Sequence, residues 1–243
     1  MQASVNAVEA LWIVHPVIEI PLAGIMYWRK LHRQFPIFFA YILFQVAQFV
    51  ILFPLFRSDS VMEYFLAYWI SAIACWVFGF KIIHEIFSDV FRFFPTQKNM
   101  GMVLFRWAAL VTAGLVLVLL ASTAVMPGTP LGGGMIAVER GVRFTQCALI
   151  LFLLLFSGHM GVSWRQHSIG IALGFVWFAG VELVVFVLYS GGAIQQLTLN
   201  LLNLVAYSLA LIVWITYAAF PATDALPNFR TGQNSLIIDG GTF

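Results

Sequence analysis

Charge is what this sequence has least of. Charged residues make up 9% of its 243 positions, while hydrophobic residues make up 62%. A soluble domain carries about 25% charged residues, and no soluble core needs this much apolar material. The opening stretch, MQASVNAVEA, holds no Lys or Arg. A cleavable signal peptide opens on a positive segment and ends at a small-residue cleavage site, so the first apolar segment is expected to be retained. Cysteine is also rare. Cys75 and Cys147 form no CxxC and no metal-ligand spacing, and both read as small buried hydrophobes. HExxH, GxSxG, Walker A and dinucleotide fingerprints are absent, which argues against soluble enzyme chemistry. No internal repeat is evident, so an inverted-repeat transporter gains no direct support. No nucleic-acid partner and no metal site are expected.

What the chain does have is apolar stretches of about 20 residues, the length that crosses a bilayer as a helix. Seven such spans fall near residues 10–28, 36–56, 62–87, 102–125, 136–160, 169–190 and 197–220. The expected fold is all-α, a polytopic seven-transmembrane-helix bundle over residues 1–220 with a short polar tail over 221–243. Its first partner is the lipid bilayer. Trp and Tyr supply headgroup-level anchors. The stretch SDVFRFFPTQKNMG after the third span reads as a segment lying at the interface. MPGTPLGGG after the fourth reads as a flexible loop.

The basic residues give an orientation. Arg29, Lys30, Arg33, Arg92, Lys98, Arg106, Arg165 and Arg230 fall on one side of a seven-span chain, against Arg57, Arg140 and Arg143 on the other. The excess of Lys and Arg marks the cytoplasmic side. The N-terminus is therefore expected outside and the C-terminus in the cytoplasm.

A charge at membrane depth is costly and usually faces the bundle interior. Glu19, in HPVIEIPLAG, lies between Pro16 and Pro21, and His15 shares its face at i−4. Glu182, in FAGVELVVF, is central to the sixth span. In VERGVRFTQC, residues Glu139, Arg143 and Gln146 fall on one helical stripe. The uninterrupted apolar run from Ala148 to Phe156 is too short to span alone. Borrowing upstream residues puts Arg143 inside the bundle, either as the counter-charge of Glu19 or Glu182 or free to bind an anion arriving from outside. Gln45 and Gln48 in the second span, and the stripe Asn200, Asn203 and Tyr207 in the seventh, fall at similar depth. His15, Glu19, Arg143, Gln146, Glu182, Asn200 and Asn203 are thus candidates for an outer-half ligand or ion-pair site. A hydrogen-bonded core that only fixes packing is the competing reading.

A second cluster, Lys81, His84 and Glu85 of FGFKIIHEIF with His159, belongs to the cytoplasmic half. Snorkelling at the interface accounts for it, and docking of a cytoplasmic or membrane protein partner is the alternative. Haem ligation by His84 and His159 is a further option that nothing else in the sequence marks. GIALG, residues 170–174, has the small-xxx-small spacing of close helix packing, within the chain or between copies.

Seven spans match microbial rhodopsins in topology alone. A retinal pigment needs a lysine in the seventh span, and residues 197–220 contain none, so retinal is rejected. FKIIHEIFSDVFRFFP and ERGVRFTQCALILFLLLFSGHMGVSWRQHSIGIALGF resemble a group of uncharacterised bacterial seven-helix membrane proteins. That resemblance implies a bacterial inner membrane and brings no activity. Three functions stay open: a receptor or sensor whose outer polar interior takes a small ligand or responds to pH, a transporter or proton relay using the same carboxylates, and an accessory subunit of a larger membrane complex.

Overall fold

The computed structural model describes residues 2–58, 60–90, 110, 131–159, 166–190 and 192–220. The fourth expected span (apart from Leu110) and the polar tail lie outside the described residues. So does most of the interfacial segment after the third span. The described residues are almost all helical, with no strand among them. The elements are α1 (Gln2–Trp28), α2 (Leu31–Gln34), α3 (Pro36–Arg57), α4 (Val61–Val90), α5 (Leu131–His159), α6 (His167–Ser190) and α7 (Gln196–Ala219).

Four of these, at Pro36–Arg57, Val61–Val90, His167–Tyr189 and Gln196–Ala219, are long and apolar enough to cross a membrane. The remaining long helices carry shorter apolar stretches, Trp12–Trp28 in α1 and Gly141–Leu155 in α5. In lipid every backbone N–H and C=O must be satisfied internally, which is why the spans are helices. The same constraint carries α1 unbroken through Pro16 and Pro21. It also explains one departure from expectation. Leu131 to Gly134, read from sequence as loop, are the first turn of α5. Three successive glycines oppose helix by about 1 kcal/mol each, but the apolar run downstream sets the helix and they extend it.

α7 packs on α6 and α1; α3 packs on α4 and α1; α5 bridges α4 and α6. Small residues set the closest approach. Gly170 and Gly174 are buried on α6. A Cβ at Gly170 would run into the Tyr217 side chain, and one at Gly174 into the Trp214 indole. The small-xxx-small pattern therefore serves packing within the chain. Trp214, 1% exposed, fills the space that Gly174 leaves. Its Nε1 donates to the carbonyl of Ile171 at 3.1 Å. Around it, the Phe38, Tyr41 and Phe175 rings lie with centroids 5.2, 6.4 and 5.0 Å away. This aromatic layer closes the middle of the bundle.

Charged groups at the end where α1 finishes secure helix termini. Glu85 accepts from the backbone N–H of Ile37 (Oε1, 2.9 Å) and of Phe38 (Oε2, 3.0 Å). These are among the donors that open α3 and have no partner within the helix. Arg29 Nη1 donates to the carbonyl of Ala218 at 2.7 Å, and His167 Nδ1 to that of Tyr217 at 2.8 Å. Both groups satisfy carbonyls at the end of α7. Lys30 turns the chain between α1 and α2 with φ 60°, in the left-handed region that favours glycine.

Candidate functional site: a polar cavity walled by aromatic rings

The opposite end of the bundle holds a cavity of about 470 Å³ between α1, α3, α4, α6 and α7. Helical spacing builds it. On α1, Trp12, His15 and Glu19 recur every three or four residues and face one way. On α7, Asn200, Asn203, Leu204 and Tyr207 do the same, as do Gln45, Gln48, Phe49 and Leu52 on α3. Tyr64 and Tyr68, one turn apart, come from α4, and Phe178 from α6. The cavity is graded in exposure. Phe56 at its mouth is 48% exposed, whereas Glu19 and Tyr207 at its floor are 2% and 7% exposed.

The floor is a connected polar network. Tyr207 donates its hydroxyl to Glu19 Oε1 at 2.7 Å. Gln45 Nε2 donates to the Tyr207 and Tyr41 hydroxyls at 3.3 and 3.2 Å. The Cys75 thiol lies 3.4 Å from Gln45 Oε1 and 3.5 Å from Gln48 Oε1. His15 Nε2 lies 3.2 Å from the Leu204 carbonyl and 3.1 Å from Ser208 Oγ. A carbonyl only accepts, so Nε2 is the donor. The His15 ring meets Tyr207 edge-on at 4.8 Å. Two acceptors on the lining stay open: neither Glu19 Oε2 nor Asn203 Oδ1 has a hydrogen-bond donor among the described residues.

The mouth is aromatic. The Trp12 indole packs edge-on against Phe49, Phe53 and Phe56, with centroids 6.1, 5.9 and 5.5 Å apart. Phe56 continues to Tyr64 at 5.9 Å, and Tyr64 to Tyr68 at 6.3 Å.

The structure divides the residues singled out from sequence. It brings His15, Glu19, Gln45, Gln48, Asn200 and Asn203 to one cavity. Arg143 and Glu182 stand apart as an ion pair, Nε to Oε2 3.2 Å, each side chain 18% exposed. The Arg143 guanidinium lies 5.5 Å over the ring of Phe178, itself part of the cavity lining. Of the outcomes left open for Arg143, pairing with Glu19, pairing with Glu182 or standing free for an incoming anion, the geometry shows pairing with Glu182. Gln146, buried, turns to α4 and donates to the Trp76 carbonyl at 3.1 Å, its amide lying against Gly79. Lys81 is exposed, His84 is half-buried, and Glu85 holds the start of α3. The His159 side chain lies outside the described residues, as do those of Glu139 and Arg140. No group of three or more His, Cys, Asp or Glu able to hold a metal occurs among the described residues.

Sequence reasoning missed the aromatic wall and the role of Tyr207. The stripe Asn200, Asn203, Tyr207 contained the signal for the second. Trp12 at i−7 from Glu19 contained a signal for the first. By fold and composition the chain is a multi-pass helical membrane protein. No family model, no curated protein and no solved structure matches it.

Proposed function

We propose that this protein is a membrane receptor or sensor that takes a small ligand into the cavity above Glu19 and Tyr207. The observation that carries the reading is the cavity itself. Its volume lies within the roughly 300–1,000 Å³ of small-molecule sites, and its walls match their chemistry, apolar and aromatic with a few convergent polar groups. A core that only needed to fix packing would gain nothing from a space of this size above an incompletely satisfied carboxylate, since interiors pack to near-crystalline density. The cavity faces the exterior of a bacterial inner membrane, following the excess of basic residues at the other end. Tyr207 links the floor to the packed layer, since its ring lies 6.1 Å from Trp214. A ligand that engages Glu19 thereby acts on α7, whose far end is held by Arg29 and His167. The signal passes from there to a separate partner.

Transport is the second reading, and the same cavity is its substrate site. The layer of Phe38, Tyr41, Phe175 and Trp214 below the floor favours a receptor, because passage requires that layer to open. A binding screen on the purified full-length protein separates the readings. Wild type is expected to gain thermal stability from small aromatic ligands, and Asn203→Trp, which fills the cavity, is expected to lose that gain. Flux of the same ligand into proteoliposomes would replace the receptor by a transporter. Equal responses of wild type and Asn203→Trp to every ligand would leave only a subunit role.

A further inference from the structure

We infer that the cavity is built for a small protonated amine, with Glu19 as its counter-charge. This assignment deepens the reading of the cavity as a ligand site and rests on it.

The charges decide the sign of the ligand. Among the described residues, Glu19 is the one acidic group in the lining, and no Lys or Arg lines it. Two cations lie near the lining without being part of it: Arg143 is engaged by Glu182 and packs over the Phe178 ring, and Arg57 packs over Phe53, next to Trp12. His15 directs Nε2 at Leu204 and Ser208. An anion entering this space would meet a carboxylate in a site of low dielectric, where like charges repel strongly.

The open acceptors decide the polar chemistry. Glu19 Oε1 receives the Tyr207 hydroxyl, which leaves Oε2 for a ligand. Asn203 Oδ1 is buried without a donor among the described residues. Asn203 lies four residues before Tyr207, so it sits one turn away on the same face of α7. Two acceptors in one cavity, one of them charged, match the N–H donors of an ammonium group. They do not match a carbonyl or a second carboxylate, which bring acceptors only.

The rings decide the rest. The walls include the Trp12, Phe49, Tyr64, Tyr68 and Phe178 side chains. Aromatic faces attract cations by their quadrupole, with Trp the strongest, and they pack the apolar body of an amine. An amine carrying an aromatic or compact aliphatic group therefore satisfies both the floor and the walls.

The test uses the purified full-length protein in lipid nanodiscs and three probes of similar shape and different charge: phenethylammonium, phenethyl alcohol and phenylacetate. Binding is read by quenching of tryptophan fluorescence and by thermal stability, in wild type, Glu19→Gln, Asn203→Leu and the cavity-filling Asn203→Trp. Glu19→Gln keeps an acceptor for Tyr207 and so preserves the network that holds the floor. Wild type is expected to prefer the ammonium to the alcohol by about tenfold or more, and to bind the carboxylate least. In Glu19→Gln the ammonium and alcohol are expected to bind alike, while Asn203→Leu weakens the ammonium about two- to fivefold. If the alcohol matches the ammonium in wild type, or the preference survives Glu19→Gln, the amine assignment is overturned and the cavity reading stands. If no probe distinguishes wild type from Asn203→Trp, the cavity reading falls and the assignment with it.

Discussion

Arg143 on α5 and Glu182 on α6 form an ion pair at 3.2 Å, with the Arg143 guanidinium lying over the Phe178 ring. Each helix brings a charge that membrane depth penalises, and each charge relieves the other. Removing one partner leaves the other incompletely compensated, whereas removing both does not. Both side chains are 18% exposed, so screening reduces the loss. Arg143→Gln and Glu182→Gln are each expected to destabilise the protein by about 1–3 kcal/mol. The double variant is expected to recover much of that. A double-mutant cycle on thermal stability measures the coupling, and additive losses would refute the pairing.

The Tyr207 hydroxyl is the donor to the Glu19 carboxylate. Tyr207→Phe keeps the ring that packs on His15, Phe178 and Trp214 and removes the hydroxyl's two hydrogen bonds, the short one to Glu19 and the longer one from Gln45. A loss of about 1–3 kcal/mol is expected, as for a bond to a charged group. Ser208→Ala, which removes one contact of His15 and leaves the Leu204 carbonyl, is expected to matter less. Equal effects of the two variants would mean that Tyr207 is not the principal support of Glu19.

Glycines on α6 give a test with an internal control. Gly174 faces the Trp214 indole, whereas a Cβ at Gly180 meets open space. Overpacking costs about 1–3 kcal/mol, so Gly174→Ala is expected to lower thermal stability. Gly180→Ala is expected to be neutral, or to raise stability by up to about 1 kcal/mol through helix propensity. Chemical cross-linking of the Gly174→Ala protein would show the same oligomeric state as wild type, because the contact lies within one chain.

At the other end of the bundle, Glu85 takes the backbone N–H groups of Ile37 and Phe38. Losing a helix cap costs about 0.5–2 kcal/mol. Glu85→Ala is expected to fall in that range and to speed hydrogen exchange at residues 37 and 38. Glu85→Gln, which keeps one acceptor, is expected to fall between Glu85→Ala and wild type. Lys81→Ala serves as the comparison, since Lys81 is exposed.

Much of this architecture was legible in the sequence. Runs of apolar residues marked the long helices because a bilayer leaves the backbone no other solution. Intramembrane Glu19 and the stripes of Gln and Asn marked the cavity floor because polar groups at that depth must face inward. The rest depended on information that spacing does not carry. Arg143 had two carboxylates at similar depth, and only helix order and rotation select Glu182. Glu85 groups in sequence with Lys81 and His84 as an interfacial cluster, yet it serves a helix start some fifty residues earlier in the chain. The aromatic wall was hidden because Phe, Tyr and Trp are abundant throughout, and composition does not separate rings that face lipid from rings that face a cavity. At Leu131–Gly134 local glycine preference pointed to loop, and the continuity of α5 prevailed.

The most direct measurement is a high-resolution map of the protein in lipid nanodiscs with phenethylammonium present. The account predicts non-protein density in the cavity, with a nitrogen within hydrogen-bond distance of Glu19 Oε2 and the ring seated against the aromatic wall. A Glu19 carboxylate met instead by a basic side chain of the protein, with the cavity filled by protein atoms, would contradict it.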